Sequence, residues 1–151
     1  MKKIAMTVFL STAMILTLPI SSHAGHANHQ PQESKELLYQ DMLMLFLLPH
    51  IDQAVHDFYA KQLTASPVVY PYQVEVKKAE RVGGSRSFHF LITLETTPVV
   101  GPHIPVGTDR LRFEIDPTLP GQVKLIQFEH LKSHELPPRW RHMIRRPEAI
   151  R

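Results

Sequence analysis

The sequence predicts an α+β domain in which a kinked N-terminal helix packs on a four-stranded antiparallel meander sheet. Two patterns lead to this prediction. Apolar residues recur every three or four positions from about residue 34 to 64, as in a helix with one buried face. After Ser66 the apolar period changes to two, as in half-buried strands, and short turn sequences separate the runs. A helix followed by consecutive strands with short connections favours two packed layers.

The helix begins after Ser34, a residue suited to capping because its hydroxyl can accept a backbone N–H bond from the first turn. Only Asp41 interrupts the apolar series of the first half, which is Leu37, Leu38, Met44, Leu45 and Leu48. Pro49 has no N–H to donate and crowds the preceding turn. We therefore expect either one kinked helix or two abutting helices. The apolar stripe of the second half comprises Ile51, Ala54, Val55, Phe58, Tyr59, Gln62 and Leu63.

Four strands are predicted at residues 72–81, 87–100, 108–115 and 123–131, with a loop at 101–107. Gly83-Gly84-Ser85 is a hairpin signal between the first two strands. The last strand is apolar on both faces, so we expect it to be the most buried. The expected core includes Phe58, Val74, Ile92, Phe113 and Leu125. One helix on such a meander resembles cystatin-like or NTF2-like half-cones.

Residues 1–24 have the organisation of a cleavable signal peptide. Lys2 and Lys3 precede an apolar stretch at 4–18, and Ala24 and Ala27 are small residues of the kind that signal peptidase reads. The stretch is too short to span a bilayer, which takes about 20 apolar residues in a helix. We expect a secreted protein of the cell envelope, with a disordered leader at 25–33 and no transmembrane segment in the mature chain.

Composition excludes several classes of function. The chain has no cysteine, which rules out disulfides, thiol catalysis, thiolate zinc sites and iron–sulfur clusters. Of 17 Lys and Arg residues, two belong to the signal, which leaves 15 against 14 acidic residues. The mature chain is thus nearly neutral, and no nucleic-acid partner is expected. Its length suits a single α+β domain at residues 34–132.

Residues 133–151 read as a proline- and arginine-rich C-terminal tail. The arginines predicted to bind a polyanion are Arg139, Arg141, Arg145 and Arg146. Their partner would be an anionic wall polymer or lipid headgroups. The alternative is a solvated tail whose Trp140 folds back on the domain.

Two stretches of the chain resemble a small secreted Gram-positive family, domain of unknown function 3888. The first is Leu47-Leu48-Pro49-His50-Ile51, leading to Ala54-Val55 and Phe58-Tyr59. The second is Gly101-Pro102-His103-Ile104-Pro105-Val106-Gly107-Thr108-Asp109, followed by Phe128-Glu129-His130. The resemblance implies export and a single small domain. It brings no reaction, cofactor or site residue with it.

The meander places the two parts of the second stretch at one end of the sheet. A turn centred between Thr118 and Leu119 makes opposing residue numbers sum to about 237, so His130 should face Gly107 and Phe128 should face Asp109. His103, Asp109 and His130 would then lie within reach of one another. Two imidazoles and a carboxylate could bind a divalent metal or form a hydrogen-bonded acid–base set. Alternatively, Asp109 caps the loop and His130 pins the proline-rich turn.

The leading functional hypothesis is a non-catalytic binding module of the cell envelope. The alternative is a metal-dependent enzyme or metal-binding protein that uses His103, Asp109 and His130. There is no Gly-x-Ser-x-Gly elbow and no phosphate-binding glycine loop, and His134-Glu135-Leu136-Pro137-Pro138 departs from the His-Glu-x-x-His zinc motif. The sequence therefore leaves the question of enzymatic activity, and of any cofactor, open.

Export can be tested by the mass of the mature chain. We expect the intact mass of the protein recovered outside the cell to correspond to a chain that begins at Gly25 or Asn28, because signal peptidase cleaves after small residues. A dominant species that still carries Met1 would contradict the signal-peptide assignment.

Overall fold

A long helix and a four-stranded antiparallel sheet form the two layers of the computed structural model, which describes residues 34–145. The helix α1 spans Lys35–Tyr59. The strands are β1 (Val74–Val82), β2 (His89–Thr96), β3 (Val99–Val100), β4 (Ile104–Pro105), β5 (Gly107–Ile115) and β6 (Val123–Ser133). The main sheet has the order β1-β2-β5-β6 with antiparallel neighbours, and β3 pairs with β4 in a separate hairpin. The predicted fold class is confirmed.

The helix α1 is capped as the sequence predicts and is continuous through its proline. The Ser34 hydroxyl accepts a hydrogen bond of 3.1 Å from the Leu37 backbone N–H. Pro49 lies inside one helix, so the alternative of two abutting helices is not what the chain adopts. The helix ends at Tyr59, a few residues before the predicted end near residue 64.

Only the later part of α1 packs on the sheet. Its buried residues are Met44, Leu47, Ile51, Ala54, Val55 and Tyr59. Of the apolar face predicted for the first half, Met44 is buried and Leu48 is half-buried against the core. The prediction is wrong for Leu37, Leu38 and Leu45, which are 47%, 44% and 62% exposed. Residues 35–43 are all exposed, and burial begins at Met44, a member of the predicted stripe. Apolar periodicity marks a face but does not show how far the sheet extends beneath it.

The core lies between α1 and one face of the sheet. Of the predicted core residues, Val74, Ile92 and Phe113 are buried, and Phe58 is half-buried against the core. Leu125 is 38% exposed, so its assignment to the core is wrong. The prediction that the last strand is the most buried is wrong for the same reason. In the described part of the chain, β6 pairs only with β5 and forms an edge of the sheet, which leaves most of its residues exposed.

The segment predicted as a loop at 101–107 contains the turn of the β3–β4 hairpin and strand β4, and the predicted strand 87–100 is divided into β2 and β3. Gly101 has a positive φ of 52°, and a Cβ at this position would lie 2.8 Å from two ring carbons of Trp140. Both the backbone conformation and the close approach of the indole therefore require glycine here.

Residues 133–145 pack on the domain. The expected domain boundary at residue 132 falls inside β6, and a 3₁₀ helix follows at Pro138–Met143. Leu136 is buried, and Trp140 and Met143 contact the core. Ile144 pairs with Leu63 across an isolated β-bridge. This part of the predicted tail is therefore integral to the fold.

Within residues 34–145, no helix combines the length and the apolar character that crossing a membrane would require. The predicted signal peptide and leader lie outside the described residues.

The buried face of β5 should dominate stability. Phe113 is 1% exposed, so Phe113→Ala should lower the free energy of unfolding by about 3–5 kcal/mol through lost burial and a residual cavity. Phe88 has the same side chain at 73% exposure and is the matched control. Urea denaturation of both variants measures the difference. Equal losses for Phe113→Ala and Phe88→Ala would contradict the assigned core.

Candidate functional site

A chain of hydrogen bonds joins four side chains where α1 ends above β5 and β6. The Tyr59 hydroxyl donates to Asp109 Oδ2 at 2.9 Å. Asp109 Oδ1 lies 2.6 Å from His130 Nδ1. His130 Nε2 lies 2.8 Å from Ser133 Oγ. Three separate elements thus hold one continuous network.

The strand register brings Asp109 directly opposite His130. This differs by two residues from the register that the sequence predicts, in which His130 faces Gly107. One residue comes from the turn, because Ile115 pairs with Val123 and the turn is centred on Leu119. The other comes from a bulge that inserts Ile126 into β6. The predicted convergence of Asp109 and His130 therefore occurs, with a closer pairing than expected.

A second bulge brings Ser133 onto the same face as His130. Thr108 pairs with Lys132 and Asp109 pairs with His130, so Leu131 is an extra residue in β6. In a regular strand, a residue three positions further on points to the opposite face. With Leu131 bulged, the separation of His130 and Ser133 corresponds to two regular steps, about 7 Å between Cα atoms on one face. The bulge is what allows the serine hydroxyl to meet the imidazole.

The network runs from the interior to the surface. Asp109 is fully buried and Tyr59 is 2% exposed, whereas the His130 side chain is 23% exposed and Ser133 is exposed. Burial raises the pKa of the Asp109 carboxyl, and the hydrogen bonds from His130 and Tyr59 partly oppose that shift. Burial also raises the pKa of Tyr59, and the neighbouring Asp109 charge adds to the effect, so the phenol stays protonated and donates.

The contacts of an ionised Asp109 favour one placement of the histidine proton. An ionised carboxylate only accepts, so Asp109 requires the proton on His130 Nδ1. With the proton on Nδ1, Nε2 is the atom that can accept from the Ser133 hydroxyl, 2.8 Å away. Serine, histidine and aspartate stand in the relationship of nucleophile, base and orienting group found in serine hydrolases.

Gly107 makes the close packing of this site possible. A Cβ at this position would overlap the Tyr59 hydroxyl and lie 2.8 Å from His130 Cε1 and 2.9 Å from the Lys132 carbonyl oxygen. Any larger residue would push the tyrosine, the histidine or β6 away. Gly107 therefore has a direct structural role in forming the network.

Aromatic rings hold the imidazole in place. Phe58 stacks on Phe128 with ring centroids 4.8 Å apart, and its ring lies 5.0 Å from that of His130. Tyr59 meets His130 edge to face at 6.0 Å. The sequence neighbours of Asp109 and Ser133 are also in contact, since His134 Nε2 lies 3.0 Å from Thr108 Oγ1.

His103 belongs to a different cluster. Its ring stacks on Tyr70 at 4.8 Å, and its Nδ1 lies 3.4 Å from the Tyr72 hydroxyl. Of the predicted set of His103, Asp109 and His130, the structure brings only the last two together. Among residues 34–145, no three His, Asp or Glu side chains are grouped closely enough to hold a metal ion.

The predicted polyanion-binding arginines are partly engaged within the chain. Arg141 pairs with Glu135 at 2.5 Å, and Arg145 Nε donates to the Leu63 carbonyl at 2.8 Å. Arg139 is exposed on the 3₁₀ helix, and Arg146 lies outside the described residues.

Sequence reasoning did not identify Tyr59 and Ser133 as site residues. Tyr59 fitted the apolar stripe of α1, and its hydroxyl gave no signal of a partner 50 residues away. Ser133 stood at an odd spacing from His130, which predicts opposite faces of the strand. The order Asp109, His130, Ser133 was visible in the sequence, but only the bulge at Leu131 turns it into a site.

Residues 39–132, more than half of the chain, match the family described as "Protein of unknown function (DUF3888)". The chain belongs to this family. No curated protein and no solved structure is similar enough to count as a match. The DUF3888 segment contains Tyr59, Gly107, Asp109 and His130, and Ser133 follows it immediately. The secreted, Gram-positive character of the family and the likeness to cystatin-like or NTF2-like half-cones stay predictions.

The buried carboxyl should leave a signature in the pH dependence of stability. Because the pKa of Asp109 is raised by folding, the folded chain holds this proton more tightly than the unfolded chain. The stabilisation that the protonated Asp109 carboxyl provides is complete below about pH 3.9, the pKa of aspartate in the unfolded chain. It is lost as pH rises through the pKa of Asp109 in the folded chain. The free energy of unfolding of the wild type minus that of Asp109→Asn should therefore be larger at pH 4 than at pH 7. Urea denaturation of both proteins at the two pH values measures this difference.

Asp116 supplies a control of opposite sign. Hydrogen bonds from the Thr118 hydroxyl and backbone N–H lower its pKa, so its contribution is lost as pH falls. The stability of the wild type relative to Asp116→Asn should decrease from pH 7 to pH 4. The same trend for both variants would contradict the shift assigned to Asp109.

Proposed function

We propose that this DUF3888 protein is a serine hydrolase that cleaves acyl esters, with Ser133 as nucleophile and His130 as general base. The observation that carries the proposal is the Ser133–His130–Asp109 chain, with contacts of 2.8 Å and 2.6 Å. Both distances lie within hydrogen-bond reach, and the nucleophile is exposed while the orienting carboxylate is buried.

In the first half of the reaction, Ser133 Oγ attacks the ester carbonyl carbon as its proton passes to His130 Nε2. The ester C–O bond then breaks, and His130 returns that proton to the departing alkoxide. An acyl group remains on Ser133. Asp109 holds Nδ1–H and stabilises the imidazolium while it exists.

In the second half, water attacks the acyl-Ser133 carbonyl and gives a proton to His130. The bond between the acyl carbon and Ser133 Oγ breaks, and His130 passes the proton back to Oγ. The carboxylic acid leaves and the starting state is restored. The net reaction is ester plus water to acid plus alcohol. Tyr59 is a positioning residue, since its hydroxyl donates to Asp109 and does not reach the reacting atoms.

The second candidate function is the one expected from the sequence, a non-catalytic binding module of the cell envelope. Arg139 and Arg141 are exposed on the 3₁₀ helix at Pro138–Met143, which supports contact with an anionic wall polymer or lipid headgroups. Arg141 already pairs with Glu135 and Arg145 is used in a backbone contact, which leaves a weaker cationic surface than the sequence suggests. Location outside the cell stays part of this proposal.

Activity of single variants tests the hydrolase. Ser133→Ala should reduce the hydrolysis of p-nitrophenyl acetate by at least about 100-fold, because nucleophile and base act as a unit. A fluorophosphonate should add one label to the wild type at Ser133 and none to the variant. Release of p-nitrophenol and intact mass are the two measurements.

Ser66 is the matched control, since its Oγ also contacts a histidine, His56 Nδ1, at 2.8 Å. Ser66→Ala should retain full activity and labelling. Equal activity of Ser133→Ala and wild type, or a fluorophosphonate label elsewhere, would refute the assignment of the nucleophile.

A further inference from the structure

A cavity of about 160 Å³ lies beside Ser133. One side is formed by Tyr59 and Leu63, at and just after the end of α1, and by Val106 before β5. The other side is formed by Leu136 and Ile144 from the segment that follows β6. Leu63, Val106 and Leu136 are each less than 10% exposed and form an apolar, buried part of the wall, and Gln62 and His134 add polar groups to the lining. Ser133 is the member of the Ser133–His130–Asp109 chain that lines this cavity.

The volume limits what the cavity can hold. An apolar cavity of about 150 Å³ is known to accommodate a molecule of benzene, a group of about six carbon atoms. A cavity of this size beside a nucleophile suits the acyl side of a substrate, because each buried methylene strengthens binding by about fourfold. Longer chains would have to leave the cavity or displace its walls.

The C-terminal segment forms the wall that limits chain length. Backbone N–H groups of Thr64 and Arg145 bond to the carbonyls of Met143 and Gln62, each at 2.8 Å. Together with the bridge between Leu63 and Ile144, these bonds fasten the segment across the cavity. Ile144 is 49% exposed and therefore stands at the mouth rather than in the core.

We infer that the site hydrolyses esters of short acyl groups, of up to about six carbons, and that Ile144 sets the upper limit. The inference rests on the proposed function, because it assigns the acyl group to the cavity beside Ser133. The alcohol side of the ester then faces solvent, where Ser133 is exposed. The cavity should bind the acyl group of the ester even when Ser133 is replaced. Binding and catalysis can therefore be measured separately.

The first experiment measures kcat/KM of the mature chain for p-nitrophenyl acetate, butyrate, hexanoate, octanoate and dodecanoate. We expect a drop of about tenfold or more between hexanoate and octanoate, a size of effect that a pocket achieves when one or two methylenes no longer fit. Ile144→Ala should restore most of the octanoate activity, so that the ratio of the octanoate value to the hexanoate value rises by about tenfold. Ile126→Ala, at 41% exposure on β6 and outside the cavity, is the matched control and should keep the wild-type profile.

The second experiment titrates the Ser133→Ala variant, which cannot form the acyl-enzyme, with p-nitrophenyl butyrate and follows methyl NMR signals. The methyl groups of Leu136 and Ile144 should shift, and those of Ile126 should not. Hydrolysis by the wild type without dependence on chain length, or with no response to Ile144→Ala, would overturn the cavity assignment and leave the hydrolase standing. Binding at Leu136 and Ile144 without hydrolysis would support the acyl site and refute the catalytic role. Neither binding nor hydrolysis would overturn both.

Discussion

The fully buried carboxylate of Asp109 ties the layers of this fold together. A charge with no access to water is strongly destabilising unless it is hydrogen-bonded and paired. Asp109 meets this demand with Tyr59 from the helix and His130 from the edge strand. The end of α1, the middle of the sheet and its edge therefore have to arrive at one point. Removal of either partner would leave a buried acceptor unsatisfied, which typically costs more than the bond itself contributes.

Two local irregularities shape the proposed reaction centre around this carboxylate. Gly107 lets the tyrosine, the histidine and β6 approach a single backbone position. The bulge at Leu131 brings Ser133 to the face that carries His130. Neither feature serves regular sheet pairing, and bulges are common where a strand has to redirect a side chain. The buried end of the network fixes the imidazole, and the exposed end offers the hydroxyl to solvent.

The sequence was informative wherever a property belongs to one element. The apolar periods predicted the helix and the strands of the main sheet, and the turn arithmetic predicted that Asp109 and His130 lie at one end of the sheet. It failed where a property depends on neighbours. The apolar pattern of β6 is typical of an interior strand, but its place at the edge depends on the topology of the sheet. The pairing register moved by two residues, one from the centre of the turn and one from a bulge, and a bulge leaves no mark in an alternating pattern. The contacts of His103 with Tyr70 and Tyr72 were also not predicted, because the segment between α1 and β1 that carries the two tyrosines has no regular apolar period.

The bulged edge strand has a further consequence, for solubility. Within residues 34–145, one side of β6 has no strand beside it, and a long open edge is a template for pairing with another chain. Exposed Lys124 and Lys132 place charges along this edge, and the bulges at Ile126 and Leu131 distort its backbone. Both devices discourage the edge-to-edge pairing that begins aggregation. The same extra residue that brings Ser133 to His130 therefore also discourages strand pairing between chains, and a deletion that straightened β6 would remove the site and leave an undistorted open edge in a single step.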